Sequence, residues 1–232
     1  MKFVIDRIVV TAALPFSLVL AGCSPDGTEG RAAAPDLPAA TETAATDAAS
    51  DAAVRLEVLP TGNEVRYLVQ EQLVGLDLPN DAVGRTKAVT GGISLDESGR
   101  VIPAESEFVI QAGGLTSDKD RRDGYVRRRI LVTDSNPTVV LKPTALRGLA
   151  LPLPTTGAKT FDLIGDLTVK GVTRPTTWRV NATFAGDTVT GTAATAFTFS
   201  DFHLDQPRVR VVLSVADTIR LEYDFRMAEQ AD

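Results

Sequence analysis

The stretch "IRLEYDFR" (residues 219–226) gives the clearest indication of the fold. Its odd-numbered positions are all apolar, and its even-numbered positions are all charged. Because successive side chains of a β-strand point to opposite faces, this alternation predicts a strand with one face in a hydrophobic interior and the other in water.

Other runs share this period of two, notably residues 161–170 and 178–184. About eight such runs follow one another with short connections, such as the Gly186-Asp187 turn, and with little helix. This order is typical of an antiparallel sheet rather than of βαβ units. Closing the sheet would remove its exposed edges and enclose an interior. The sequence therefore predicts an all-β, eight-stranded antiparallel barrel, and small residues at alternate positions are compatible with room inside it: Gly165, Ala182, Ala194 and Ala196.

The composition limits the classes of partner. The chain has 232 residues and a formal net charge of −6. Nucleic-acid binding depends on an excess of Lys and Arg that contacts phosphates, so we expect no nucleic-acid partner. The one basic stretch, residues 115–132, predicts short helical turns that begin at an S-x-x-D pattern (Ser117 to Asp120). Ion pairs four residues apart, Asp118 with Arg122 and Asp123 with Arg127, would hold these turns together.

The N-terminus has the pattern of an export signal. A weakly basic start precedes an apolar run at residues 8–20, which "LAGC" (residues 20–23) closes. This resembles a bacterial lipobox and predicts that Cys23, the only cysteine, is acylated. The protein would then be exported to the bacterial cell envelope and attached to a membrane on the extracytoplasmic side. The alternative is a secretory segment followed by an incidental cysteine.

A spacer follows this signal. It is rich in Ala, Thr, Pro, Asp and Glu, and it cannot bury enough apolar surface to offset the entropy of ordering. The β-rich texture begins at Val54. The predicted organisation is a signal peptide at 1–22, a lipid-anchored disordered linker at 23–53, a barrel domain at 54–228 and a C-terminal tail at 229–232.

The sequence gives little support to a catalytic function. His203 is the only histidine, and Cys23 would be consumed by the anchor. A Ser-His-Asp arrangement or a multi-histidine metal site would have to include His203. The three aspartates of the basic stretch lack the spacing of a calcium loop. We therefore expect a protein that is not an enzyme, with no catalytic residue, no metal site and no cofactor.

Three ordered stretches resemble the YceI-like family of bacterial lipid- or polyisoprenoid-binding proteins. They are "GGLTSDKDRRDGYVRRRILVTDSNPTVVL", "GDLTVKGVTRPTTWRV" and "FTFSDFHLD", and the resemblance covers most of residues 54–227. The positions that match the family motifs are Arg122, Asp123, Gly165, Leu167, Thr168, Gly171, Val172, Thr173, Pro175, Asp201 and Phe202.

The resemblance implies a lipocalin-like barrel, closed by a short helical segment, that holds a long isoprenoid chain in an apolar tunnel. An isoprenoid or a quinone would be the ligand, and the protein would transport, store or sequester it. A homodimer remains an alternative to a monomer. The alternative is a solidly packed barrel without lipid, acting as a cell-surface or stress-protection interaction module. If a tunnel exists, its wall comprises the inward strand positions Phe108, Ile110, Val139, Leu141, Phe161, Leu163, Trp178, Phe197, Phe199, Leu221 and Tyr223.

Overall fold

Ten β-strands dominate residues 52–230, the part of the chain that the computed structural model describes. The predicted signal peptide, Cys23 and nearly all of the predicted linker lie outside the described residues. The strands are β1 (Val54–Val58), β2 (Glu64–Leu73), β3 (Asn80–Thr86), β4 (Val89–Leu95), β5 (Glu107–Gln111), β6 (Thr138–Arg147), β7 (Thr156–Val169), β8 (Val172–Ala185), β9 (Thr188–Thr198) and β10 (Val212–Glu229).

The strands close into a barrel in which every neighbouring pair is antiparallel. β10 pairs with β9 along one edge, and along its other edge it pairs first with β2 and then with β1. β1 and β2 therefore share one position around the barrel. β3 and β4 share the next, because β3 pairs with β2 and β4 with β1. The ten strands thus occupy eight positions, and the predicted eight-stranded antiparallel barrel with a short helical segment is confirmed.

The period-two patterns explain which face of each strand is buried. In β8 the side chains of Trp178, Val180, Ala182 and Phe184 are buried, while the alternate residues between them are exposed. The β7–β8 connection is a two-residue turn, Lys170-Gly171, in which both residues have positive φ (49° and 75°). Such turns match the right-handed twist of the strands they join, and glycine adopts positive φ without steric cost. This conformation is a physical reason for Gly171 in the family motif.

A short helical segment covers one end of the barrel. It consists of helix α1 (Asp120–Tyr125) and a π-helical turn (Val126–Leu131). The predicted ion pair between Asp118 and Arg122 is present. The pair between Asp123 and Arg127 is not: Asp123 is buried and accepts a hydrogen bond from Ser117 Oγ (2.6 Å), while Arg127 donates to a backbone carbonyl. Ser117 is not the N-cap, because α1 starts later than the S-x-x-D pattern implies and Lys119 takes that place.

The C-terminal boundary of the barrel lies one residue beyond the predicted one. β10 extends to Glu229, which pairs with Leu56, so the strand continues one residue into the predicted tail at 229–232. Within residues 52–230 no helix has the length and apolar character needed to cross a membrane.

A second family motif holds a core residue in place. Thr198 N and Thr198 Oγ1 both donate hydrogen bonds to Asp201 Oδ2 (2.7 and 2.8 Å), which fixes the 3₁₀ turn Phe199–Phe202. The hydrogen bond from the Thr198 N–H lowers the pKa of Asp201. The turn places Phe202 in the core with no exposed surface, where its ring lies edge-on to Phe197 at 4.5 Å.

We predict that Phe202→Ala lowers the free energy of unfolding by about 3–5 kcal/mol, because it removes a fully buried ring and leaves a cavity. Urea denaturation followed by circular dichroism measures this. Leu78→Ala is the control, since Leu78 is 76% exposed and its loss should change stability by less than about 0.5 kcal/mol. Equal effects of the two substitutions would contradict the assignment of Phe202 to the core.

Candidate functional site

The interior of the barrel is hollow. It encloses a cavity of about 1030 Å³, here called the lumen, whose wall is overwhelmingly apolar. An engineered protein cavity of about 150 Å³ already binds a benzene-sized molecule. The lumen is about seven times larger than that, which places it at the upper end of the range of small-molecule sites.

Every inward position that the sequence analysis selected lies on the wall of this lumen. The hollow interior does not favour the alternative of a solidly packed barrel. The eleven residues are Phe108, Ile110, Val139, Leu141, Phe161, Leu163, Trp178, Phe197, Phe199, Leu221 and Tyr223.

The family-motif positions divide into two groups. Leu167 and Arg122 line the lumen. The others support the fold around it: an added Cβ at Gly165 would lie 2.6 Å from the Lys142 carbonyl oxygen, so the close approach of β7 to β6 requires glycine. The hydroxyls of Thr168 and Thr173 are 2.8 Å apart across the β7–β8 hairpin.

Sequence reasoning assigned some small residues to the wrong face. Ala194 and Ala196 are exposed on the outside of β9, and Ala182 is buried without reaching the lumen. The small residue of β9 that lines the lumen is Ala193, which pairs with Val180 on one side and Tyr223 on the other.

Strand β2 supplies a row of wall residues that sequence reasoning missed. Its inward side chains follow a strict period of two, but the row includes a glutamate, which weakens the apolar signal. The residues are Val65, Tyr67, Val69, Glu71 and Leu73.

The lumen opens at the end of the barrel that carries α1. The wall residues that are exposed to solvent all lie there: residues 118–121 before and within α1, Val74 after β2, and Arg210 and Val211 before β10. At the opposite end none of the described wall residues is exposed: Phe184, Val189 and Met227 are buried, and Leu149 and Leu153 are half-buried. The mouth is therefore the gap between α1 and the segments around Val74 and Val211.

A polar cluster lies just inside the mouth. Arg122 Nη2 donates to Glu71 Oε1 at 2.6 Å, and the two side chains are only 16% and 8% exposed. Burial works against the charge of Arg122, but Glu71 and Asp118 outweigh it and the pKa of Arg122 is raised. Asp118 is largely exposed. Desolvation works against its charge, and the hydrogen bond from Arg122 nevertheless lowers the pKa of Asp118. The charges inside the mouth are thus paired with one another.

Two tyrosines of the wall differ in their hydrogen bonding. Tyr223 donates to Asn63 Oδ1 at 2.9 Å, and burial raises its pKa. Tyr67 makes no hydrogen bond through its hydroxyl within residues 52–230, and its ring lies against Gly84, where an added Cβ would be 2.1 Å from the ring. Burial raises the pKa of Tyr67 to about 12, although the positive charge of Arg122 acts in the opposite direction. The Tyr67 hydroxyl is therefore a donor that a ligand can use.

Among the described residues, no three His, Cys, Asp or Glu side chains are grouped so that they could hold a metal ion. His203 is exposed and is not part of the lumen wall.

Comparisons with known proteins agree with this geometry. Residues 56–227 match the family model of the YceI-like domain. No curated protein matches the chain.

Solved structures share the fold at low sequence identity. A polyisoprenoid-binding domain from Saccharophagus degradans implicated in plant cell wall breakdown is 12% identical, with a TM-score of 0.60 over 75% of this chain and 98% of that one. The Burkholderia cenocepacia protein BcnA is 16% identical, with a TM-score of 0.54 over 73% and 98%. The Campylobacter jejuni YceI protein is 14% identical, with a TM-score of 0.52 over 69% and 91%.

The half-buried phenol of Tyr67 predicts a pH dependence. Its pKa rises from 10.0 to about 12 on folding, so the folded state favours the neutral phenol. This contribution, on the order of 2 kcal/mol, is complete below pH 10 and is lost as the pH rises towards 12. Tyr67→Phe should therefore remove a phenol that ionises near pH 12 from the tyrosinate absorbance titration. If the substitution instead removes a phenol that titrates near pH 10, Tyr67 is not buried as described.

Proposed function

The chain belongs to the YceI-like family, and from that premise we propose that it is a membrane-anchored, extracytoplasmic protein of the bacterial envelope that holds a long-chain lipid of isoprenoid type. The observation that carries the proposal is the apolar lumen of about 1030 Å³ with a single open mouth among the described residues. The likeness to a polyisoprenoid-binding domain from another bacterium supports the same class of ligand.

The size of the lumen favours a long chain over a small molecule. If a benzene-sized ligand fills about 150 Å³, the lumen corresponds to on the order of 30–40 carbon atoms. Each buried methylene contributes about 0.8 kcal/mol, while association costs about 4–15 kcal/mol. A chain with about ten buried carbons barely offsets that cost, whereas a chain that fills the lumen binds with a wide margin.

The polar cluster at the mouth determines which kind of head group the lipid can have. Because Glu71 and Arg122 neutralise each other, a ligand that brings a formal charge into the mouth would disturb a nearly buried ion pair. Tyr67 offers a hydroxyl donor close to this pair. We expect an uncharged head that accepts a hydrogen bond, such as the carbonyl of a quinone or the oxygen of a prenyl alcohol.

The chemistry of the wall supports binding rather than catalysis. The described wall residues include no histidine, cysteine or serine, so they offer neither a Ser-His nor a Cys-His arrangement. The proteins of this family are binding proteins, and we propose the same for this chain.

The proposed anchor determines how far the barrel lies from the membrane. An acylated Cys23, followed by a linker of about 30 residues with the predicted disorder, would place the barrel at an average distance on the order of 30 Å from the membrane. The ligand would then be taken from, stored beside or returned to that membrane.

Filling the lumen tests the proposed function. Ala193→Trp places a large ring between Val180 and Tyr223 inside the lumen, and it should reduce the affinity for a polyprenol at least tenfold. Ala194→Trp is the matched control, because Ala194 is the next residue of the same strand and faces solvent. Native mass spectrometry with a polyprenol measures both. Equal binding by two folded variants would show that the lumen is not the binding site.

The anchor makes a separate prediction. Cys23→Ser should abolish incorporation of labelled fatty acid and move the protein from the membrane fraction to the aqueous fraction, because it removes the acceptor thiol. Metabolic labelling in a bacterial host measures this, with Ser24→Ala as the control. Unchanged labelling of Cys23→Ser would rule out the anchor and leave the lumen unaffected.

A further inference from the structure

The large hydrophobic side chains that are exposed within residues 52–230 are concentrated at one place on the surface. They lie in two segments only, the β2–β3 hairpin and the start of β10, and they are between 50% and 76% exposed. Monomeric proteins rarely leave such a group in water unless it meets another surface. We call this group the apolar rim; its residues are Val74, Leu76, Leu78, Val211 and Leu213.

The fold holds the two segments of the apolar rim side by side. Val74 N donates to the Val211 carbonyl at 3.0 Å, and Leu73 pairs with Val212 in the sheet. Gly75 adopts a φ of +84°, which lets the chain turn at the tip of the hairpin. The apolar rim is thus one structural unit that projects from the end of the barrel.

The apolar rim is continuous with the lumen. Val74 and Val211 lie on the wall of the lumen at its mouth, and they are also 59% and 65% exposed. An apolar path therefore leads from the outer surface, past these two side chains, into the interior. A hydrocarbon chain that follows this path stays in contact with apolar groups on the protein side.

The charges around the mouth suit a lipid surface. The chain as a whole is acidic, with a net charge of −6, but exposed Arg208 and Arg210 directly precede the apolar rim segment of β10. Lys119 and Arg121 are exposed across the mouth, where Asp118 and Asp120 accompany them, and Asp77 is exposed within the β2–β3 hairpin. Apolar side chains next to arginines are typical of segments that lie in the interfacial region of a bilayer, where the guanidinium groups reach the phosphates.

We propose that the apolar rim inserts into the interfacial layer of a lipid bilayer that contains anionic lipid, and that ligand passes between bilayer and lumen through this contact. The identity of the cargo rests on the proposed function, whereas the docking itself does not. A bilayer is favoured over a second copy of the chain because the apolar rim borders the mouth, and a second copy seated on the rim would cover the mouth.

A local probe tests the insertion without interference from the anchor. In full-length protein with Cys23→Ser, Leu76→Cys provides a single thiol for an environment-sensitive fluorophore. Vesicles of phosphatidylcholine and phosphatidylglycerol that carry nitroxide-labelled lipid should quench this probe, and vesicles of phosphatidylcholine alone should quench it less. The matched control is Ala150→Cys, an exposed position in the β6–β7 connection at the opposite end of the barrel, which should not be quenched.

A charge substitution tests the transfer. Leu76→Asp with Leu78→Asp should slow the uptake of a polyprenol from these vesicles about tenfold or more, because two apolar anchors are replaced by carboxylates that anionic lipid repels. Binding of the same polyprenol presented in detergent should not change, since neither residue lines the lumen. Ala150→Asp is the control for added charge.

The outcomes separate the docking from the proposed function. An unquenched Leu76→Cys probe together with normal uptake by the double variant would overturn the docking, whether or not the lumen binds lipid. Quenching without any polyprenol binding, from vesicles or from detergent, would support the docking and refute the proposed function. If the probe is unquenched and the double substitution converts a dimer into a monomer in sedimentation, a second copy covers the apolar rim and the docking is wrong.

Discussion

Closure of the sheet by β10 is the constraint on which the rest of the structure depends. This 18-residue strand satisfies the edges of three neighbours: β9 on one side, and β2 and then β1 on the other. An open sheet would expose hydrogen-bonding edges and would have no lumen. The charged outer face and apolar inner face of β10 fix its register, because a slip by one residue would turn Arg220 and Glu222 inward.

The lumen follows from closure and from the size of the side chains that face it. Eight positions give an interior that side chains can fill or that can hold one ligand. Here β9 contributes the small Ala193 between two larger neighbours, and wall residues elsewhere are mostly of medium size, so space remains. The helical segment and the two apolar rim segments lie at the open end of the barrel, and the opposite end is closed. The buried Glu71–Arg122 pair lies at the open end, where a polar head would meet it.

The period-two strands and the wall residues on them could be predicted from the sequence, because alternation in a strand reports burial directly. The face on which Ala194 lies could not be predicted. β9 has alanines on both faces, and alanine is found on inward and outward faces alike. The polar cluster could not be predicted from the sequence, because Glu71 and Arg122 are 51 positions apart and meet only when the barrel closes. The prediction of an Asp123–Arg127 ion pair was wrong, because the Asp123 carboxylate is buried and accepts a hydrogen bond from Ser117. The anchor at Cys23 remains a prediction.

The central claim is that a lipid chain occupies the lumen of the working protein. The most direct measurement is native mass spectrometry of the unaltered protein, isolated gently from the cells that produce it, before and after extraction with organic solvent. The account predicts an additional mass, equal to that of a long-chain lipid, which extraction removes while the fold persists. A protein that carries no extractable mass, and that gains none when mixed with polyprenols or quinones, would contradict it.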